Sequence, residues 1–195
     1  MSITLTKKQE EGLRTAVARY QIGEKYTVIA GFAGSGKSTL IKFIIEALKI
    51  PQEEVAYVAY TGKAATVLQS KGCANAITAH KLLYKAKPMP NGTYKFYPKP
   101  VGSLEYRVIV VDEVSMIPRP MWELLLMHNA YILATGDPAQ LPPINPDDDN
   151  HALDRPHVFL DEIMRQAQDS EIIRLSMHIR EGNPLSTFNC SGEQV

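Results

Sequence analysis

Short apolar runs that end on glycines or carboxylates alternate along this chain with segments whose apolar residues recur every three or four positions. Tyr26–Ala30 (YTVIA) is a β-branched run followed by glycines and predicts a buried strand. Lys37–Leu48 places Leu40, Ile41, Ile44, Ile45 and Leu48 on one helical face, and Pro51 stops it. Val55–Tyr60 (VAYVAY) predicts a second strand and Gly62–Gln69 a helix. Arg107–Val111 (RVIVV) predicts a third strand ending on Asp112-Glu113. Trp122–Met127 (WELLLM) follows as a helix, and Tyr131–Thr135 (YILAT) as a fourth strand ending on Gly136-Asp137. Strands alternating with helices imply an α/β fold with a parallel sheet and helices on both faces. In such sheets ligands bind beyond the carboxyl ends of the strands, where each chemically interesting group of this chain falls.

One segment breaks the alternation. Tyr84–Pro100 holds Pro88, Pro90, Pro98 and Pro100 around Asn91-Gly92. Asn-Gly between β-favouring flanks predicts a hairpin, with arms Tyr84–Lys87 and Thr93–Tyr97 projecting from the main domain. The tail from Ser186 to Val195 lacks periodicity and reads as frayed.

Composition narrows the class. The 195 residues are 45% apolar and 22% charged, which is one globular domain with at most a small insertion. No apolar run approaches the ~18 residues of a membrane span, and Lys7, Lys8, Glu10 and Glu11 interrupt any signal-peptide pattern. Cys73 and Cys190 form neither a disulfide framework nor a four-ligand zinc site, so a cytoplasmic, reducing setting fits.

The net charge is zero, yet the charges are segregated: +2 over residues 1–54, +7 over 55–104 and −9 over 105–195. The middle stretch has seven lysines and no acid, and Tyr60, Tyr84, Tyr94, Phe96 and Tyr97 lie among the lysines. Lysines neutralise phosphates and aromatic faces stack on bases, so this mixture suits a single nucleic-acid strand. A solvated loop with ordinary aromatic packing is the plainer alternative.

The firmest chemical motif is Gly31-Phe32-Ala33-Gly34-Ser35-Gly36-Lys37-Ser38, which matches G-x-x-x-x-G-K-[ST] between a strand and a helix. Its glycines let successive backbone N–H groups point at phosphate oxygens, and the following helix adds its positive end. Lys37 would reach the outer phosphates and the Ser38 hydroxyl would bind Mg²⁺, beside Thr39. Asp112, after a buried strand, is the second metal residue. Glu113 is placed to take a proton from attacking water. This pairing favours hydrolysis over transfer to a small acceptor.

Two runs in register, Asp112-Glu113-Val114-Ser115-Met116 and Gly136-Asp137-Pro138-Ala139-Gln140-Leu141-Pro142-Pro143, resemble superfamily 1 DNA helicases of the RecD-like and Dda-like branch. Leu5-Thr6-Lys7-Lys8-Gln9 resembles that family's Q motif, Thr61-Gly62-Lys63-Ala64-Ala65 its motif Ia, and Thr78-Ala79-His80-Lys81-Leu82-Leu83 the strand-contact motif that follows. Glu162-Ile163-Met164-Arg165-Gln166, with Ser170 and Ile172–Ser176, resembles motif IV and its helix. The resemblance covers roughly residues 3–181. It implies a phosphate-loop, RecA-like ATPase domain over residues 1–83 and 101–181, an inserted pin-like hairpin over 84–100, and a frayed tail over 182–195.

Residue roles follow from the resemblance. Gln9 would read the adenine edge. Gly31, Gly34, Ser35, Gly36, Lys37, Ser38 and Thr39 would cradle ATP, and Ser38 and Asp112 would hold Mg²⁺. Gln140 would sense the γ-phosphate and attacking water, Asp137 would support that loop and the metal shell, and Arg165 would reach the γ-phosphate and stabilise transition-state charge. Tyr60, Thr61, Lys63, Thr78, His80, Lys95, Phe96 and Tyr97 would lie along single-stranded DNA and at single-strand/duplex junctions. Both Phe96 and Tyr97 stand as candidate wedges.

Tyr60 departs from the family, which has proline before Thr-Gly-Lys. The motifs of a second RecA-like domain are absent from this stretch, so a partner domain is expected in the same polypeptide. The stretch alone should bind nucleotide weakly, turn it over slowly and not unwind DNA. Two other readings stay open: a phosphate-loop regulator without motor activity, and an unrelated ATPase or small-molecule kinase.

Overall fold

A computed structural model describes residues 4–140, 146–162 and 171–188. The elements run α1 (Lys7–Gln21), β1 (Tyr26–Gly31), α2 (Lys37–Leu48), β2 (Val55–Ala59), α3 (Gly62–Ser70), β3 (Ala76–Thr78), α4 (Ala79–Leu83), β4 (Tyr84–Pro88), β5 (Tyr94–Pro98), β6 (Val108–Val111), α5 (Arg119–Met127), β7 (Tyr131–Gly136), β8 (Val158–Leu160) and α6 (Glu171–Arg180). Six strands form one sheet in the order β3-β2-β6-β7-β1-β8. All five of its pairings are parallel. Strand and helix positions read from apolar spacing agree with the structure to within a residue or two, apart from α5, which starts at Arg119. Pro120 at the second position of α5 suits a helix start, where the missing N–H costs nothing.

The continuous apolar runs are explained by what covers them. Val28, Val58, Ile109 and Ala134 face a cluster completed by Leu82 and Leu83 of α4 and by Trp122 and Leu125 of α5. Their neighbours Ile29, Tyr57, Val110 and Leu133 face the opposite cluster, with Ala16 of α1 and Leu40, Ile41, Ile44 and Ile45 of α2. Strands buried on both faces cannot alternate polar and apolar residues. Burying each large aliphatic side chain contributes roughly 1.5–3 kcal/mol, so the four from α2 fix the helix that follows the phosphate loop.

The hairpin β4–β5 stands apart as its own two-stranded sheet, with Lys85 opposite Tyr97, Ala86 opposite Phe96 and Lys87 opposite Lys95. Its turn is closed by Met89 N–H donating to Thr93 O (2.8 Å) and by the Asn91 side chain, which accepts from the Thr93 N–H (3.1 Å) and hydroxyl (2.6 Å). Lys99 N–H, donating to Leu83 O at 2.7 Å, ties the hairpin's exit to its entrance.

Two results differ from the sequence reading. The short strands β3 and β8 extend the sheet at either edge. With three residues each, they carry too little pattern to be read. The expected frayed tail is ordered through Phe188: the His178 ring bonds Pro184 O (2.9 Å) and the Thr187 hydroxyl (3.0 Å), and Phe188 packs edge-on against His178. These contacts fold residues 182–188 back on α6.

Gly31 marks the tightest point of the frame. A Cβ there would lie 2.7 Å from both Leu160 O of β8 and Ser35 Oγ of the loop. Gly31→Ala therefore forces backbone apart at a cost of about 1–3 kcal/mol, lowering Tm by roughly 3–10 °C. Gly62→Ala, where a Cβ would meet nothing within 4 Å, should leave Tm unchanged or raise it slightly. Thermal melts followed by circular dichroism compare the two.

Candidate nucleotide and strand site

Because the sheet is parallel, the segments that leave its strands emerge at one edge. From one side to the other they carry Thr78 and His80 after β3, Tyr60, Thr61 and Lys63 after β2, Asp112 and Glu113 after β6, Asp137 and Gln140 after β7, and the phosphate loop after β1. The structure thus brings the candidate residues read from separate motifs into one row. Arg165 lies outside the described residues, as do Leu141–Pro143 of the run that contains Gln140.

The loop between β1 and α2 turns through Gly34 and Gly36, at φ 79° and 82°, a region that residues with a Cβ rarely adopt. Gly36 opens α2, so the first N–H groups of that helix have no intrahelical acceptor. The Lys37 ammonium folds over the loop and donates to Gly31 O (2.7 Å) and Phe32 O (3.1 Å). Burial lowers its pKa, and Glu113, Asp137 and Asp112 counter that shift. Ser35 is buried, and its hydroxyl has no hydrogen-bond partner among the described residues. Ser38 is exposed at the start of α2 and Thr39 is half-buried.

Gln9 does more than the sequence suggested. It is buried, and its Nε2 donates to Ser35 O at 3.2 Å. Its Oε1 accepts from Thr6 N–H (3.0 Å) while Thr6 Oγ1 accepts from Gln9 N–H (3.3 Å), a capping box at the start of α1. One glutamine therefore fixes α1 and the phosphate loop together.

The carboxylates opposite are held differently from one another. Asp112 Oδ1 accepts from the Thr135 hydroxyl at 3.0 Å. Glu113 sits at φ 51°, a left-handed conformation that costs a non-glycine residue about 1 kcal/mol or more. It is held there because Val114 and Ile117 on either side of the following turn are locked in the core. Glu113 Oε2 is buried without a partner among the described residues, and Oε1 makes only a long contact of 3.5 Å with Gln140 Nε2. Burial, followed by repulsion from Asp112, pushes the Glu113 pKa up. A poorly solvated carboxylate with a raised pKa is poised as a base.

Asp137 is completely buried. Its Oδ1 accepts from Ala139 N–H (3.0 Å) and its carbonyl from Gln140 N–H (3.0 Å), so it shapes the turn that presents Gln140. Its Oδ2 accepts from Arg180 at 2.6 Å. Arg180, at the end of α6, also lies over the Phe32 ring, 4.9 Å from its centroid. Sequence reasoning missed Arg180. A carboxylate after a fully apolar strand implies a cation near it, but several arginines follow in the chain and spacing does not choose among them.

The donor set fits a nucleotide with its metal. A helix start without a side-chain cap, a lysine donating to loop carbonyls and a buried carboxylate oxygen with no partner among the described residues face the same edge. Among the described residues no group of three or more His, Cys, Asp or Glu could hold a metal ion by itself. That is expected of Mg²⁺ carried by phosphates and water, with Ser38 and Asp112 as the available protein ligands. Mg²⁺ bound there would neutralise charge on the phosphates.

At the other end of the row, rings form a track. The His80 ring lies 6.1 Å from Tyr60, 5.8 Å from Tyr84 and 6.4 Å from Phe96, centroid to centroid. Thr61 and Thr78 cap α3 and α4 through their hydroxyls, and Lys63 is exposed beside them. On the opposite face of the hairpin Tyr97 lies between Lys87 and Lys95, with each ammonium about 5 Å from its ring centroid (5.2 and 5.3 Å). Phe96 is 55% exposed and Tyr97 38%. The two wedge candidates therefore sit on opposite faces in different surroundings. No helix among the described residues is long and apolar enough to cross a membrane.

Comparison with known proteins agrees with the fold and the family. A family model described as an AAA domain matches residues 4–194. The chain is 32% identical over 184 residues to the ATP-dependent RecD2 DNA helicase of Deinococcus radiodurans, covering 90% of this chain and 25% of that protein. It is 33% identical over 151 residues to the ATP-dependent DNA helicase dda of Enterobacteria phage T4, covering 73% of this chain and 34% of that one. Among solved structures it is similar to the Pif1 helicase from Candida albicans, with a TM-score of 0.59 and 26% identity over 95% of this chain and 46% of that one. A Bacteroides Pif1 bound to single-stranded DNA shares the fold, with a TM-score of 0.60, 20% identity, and coverage of 98% and 52%. The chain thus spans a quarter to a third of the length of these two curated relatives. It belongs to the AAA-domain family, as a first RecA-like domain of the superfamily 1, RecD-like and Dda-like kind.

Proposed function

We propose that this chain is the first motor domain of an ATP-dependent DNA helicase, in which ATP hydrolysis, stimulated by single-stranded DNA, drives 5′ to 3′ movement and duplex unwinding. The observation that carries the reading is the shared edge. The phosphate loop follows β1, the desolvated carboxylate of Glu113 follows β6, and a track of half-buried and exposed rings begins after β2 and β3, so all three lie in one row at the ends of paired parallel strands. A second RecA-like domain of the same polypeptide would close over the nucleotide, and a cytoplasmic setting suits the enzyme.

ATP would lie along the loop Gly31–Thr39, with its adenine toward Gln9. The N–H groups at the start of α2 would bind its phosphates, and Lys37 would exchange its loop carbonyls for phosphate oxygens. Mg²⁺ held by Ser38 and Asp112 would neutralise phosphate charge. Water attacks the γ-phosphorus and the bond to the β–γ bridging oxygen breaks, giving ADP and phosphate. Glu113 takes the water's proton, and Gln140 orients that water. Arg165 would stabilise the charge that develops. Gln140 Nε2 reaches Glu113 Oε1 at 3.5 Å, so an attacking water and the γ-phosphate would compete with that carboxylate for it. That competition gives the loop after β7 a way to report the state of the nucleotide.

Single-stranded DNA would run over Tyr60, Thr61, Lys63, Thr78 and His80, with bases on the rings and phosphates on the lysines. Phe96 continues this track and is the better wedge at a junction. Lys95 and Tyr97 face the other side of the hairpin and would guide the displaced strand's backbone.

The direct test is ATP turnover by the full-length protein with and without oligothymidylate. At least tenfold stimulation is expected, within the usual scale of a coupling free energy of roughly 1–3 kcal/mol. Turnover indifferent to DNA would sink the motor reading and favour a plain ATPase.

Three further outcomes are expected. Lys37→Ala should lose nucleotide binding itself, by equilibrium fluorescence titration. Glu113→Gln should keep binding and abolish turnover. In nucleotide-free protein it should also raise Tm at neutral pH. The charged Glu113 is disfavoured in the fold, a handicap absent below its ordinary pKa of 4.5 and growing as pH rises through the raised value. The Tm gain should therefore vanish in acid. Phe96→Ala should weaken oligothymidylate binding by about 5- to 100-fold, the scale of one lost stacking contact. Tyr97→Ala should weaken it less, and equal losses would remove the assignment of the wedge.

A further inference from the structure

Asp137 is buried and would be an isolated anion without a cation, and among the described residues Arg180 alone forms an ion pair with it, at 2.6 Å. The same guanidinium lies 4.9 Å from the centroid of Phe32, whose carbonyl accepts from both Lys37 Nζ and Ser35 N–H. Phe32 in turn packs edge-on against Phe159 of β8, 5.5 Å between centroids at 89°. One side chain therefore touches both of the loops that leave the neighbouring strands β7 and β1, beyond the last paired residues, Gly136 and Ala30. These are the turn that presents Gln140 and the loop that receives phosphate. The contact with Phe32 uses what lysine lacks, a planar face, while the same group donates to Asp137.

We propose that Arg180 is a positioning residue for hydrolysis: held by Asp137 and stacked on Phe32, it sets the Gln140 turn at a fixed distance from the phosphate loop. The proposal rests on the ATPase reading above. Arg180 acts through Asp137, which orders the turn by accepting from Ala139 N–H. It need not touch phosphate. Losing it leaves a buried carboxylate free to turn toward other donors, so the Gln140 side chain no longer meets the attacking water in register. Helix α6 thereby becomes part of the hydrolytic site, and a displacement of α6 would change turnover without changing any group that touches nucleotide.

The test uses full-length protein with Arg180→Ala, Arg180→Lys and the double variant Arg180→Ala/Asp137→Asn. Hydrogen exchange in nucleotide-free protein reads the turn directly. Arg180→Ala should speed exchange over residues 136–140 and leave strand β6 protected. An analogue of ATP should bind within about threefold of the parent, while DNA-stimulated kcat falls by about 30-fold or more, as a displaced catalytic group produces. Arg180→Lys should recover part of the exchange protection and less of the kcat. If Arg180→Ala misfolds because its carboxylate is stranded, the double variant removes that charge. It should fold and still turn over slowly. Parental kcat in any folded variant lacking Arg180 would overturn the proposal, as would unchanged exchange over 136–140. A parent that binds no ATP would instead defeat the ATPase reading, and the exchange measurement would still decide whether Arg180 orders the turn.

Discussion

Six strands running in one direction impose the constraint on which the rest of this molecule depends. Parallel pairing sends the loops that follow the strands out at one edge and places the crossover helices on the faces. The phosphate loop, the acidic pair, the Gln140 turn and the threonine caps consequently share that edge, although they come from strands far apart in sequence. The register is tight: Val111 pairs with Ala134 and Ala30 with Gly136. A shift of one strand would therefore move its loop relative to its neighbours. Gly31, wedged between Leu160 and Ser35, shows how little slack the edge has.

Along that edge the fold holds groups in conditions they would not choose. Glu113 is left-handed and poorly solvated, Lys37 is desolvated against carbonyls, and the Ser35 hydroxyl is buried without a partner among the described residues. Other buried polar groups are paired, as in the chain of bonds from Thr27 through the Tyr131 hydroxyl to Ala16 O. The cost of the exceptions is carried by two-sided burial of the strands and of α2. A bound phosphate chain would relieve several of them at once, so nucleotide should stabilise the domain as well as react in it.

The elements most legible in the sequence were those whose pattern is local. β1, β2, β6 and β7 are apolar runs bounded by glycine or acid, and α2 repeats its aliphatic face for three turns. The phosphate loop and the Asp112-Glu113 pair could be read because their chemistry needs fixed spacing. What stayed hidden depends on distant contacts. β3 and β8 are strands only because β2 and β1 offer them an edge. The backbone strain at Glu113 arises from where Val114 and Ile117 are buried. Gln9 resembled an adenine reader, yet its hold on Ser35 O appears only when α1 docks. Arg180 was one arginine among several until α6 brought it to Asp137. The residues 182–188 looked structureless because His178, eight positions before Ser186, supplies their hydrogen bonds.

The central claim is that nucleotide and single-stranded DNA meet one rigid edge and are therefore coupled. The most direct measurement is the affinity of the full-length protein for a non-hydrolysable ATP analogue, with and without saturating oligothymidylate, set beside its affinity for oligothymidylate with and without the analogue. Linkage requires both ratios to be the same, and the account predicts that this common factor differs from one by at least about fivefold. Two affinities that ignore each other would show that the phosphate loop and the aromatic track are neighbours without being one site, and would contradict it.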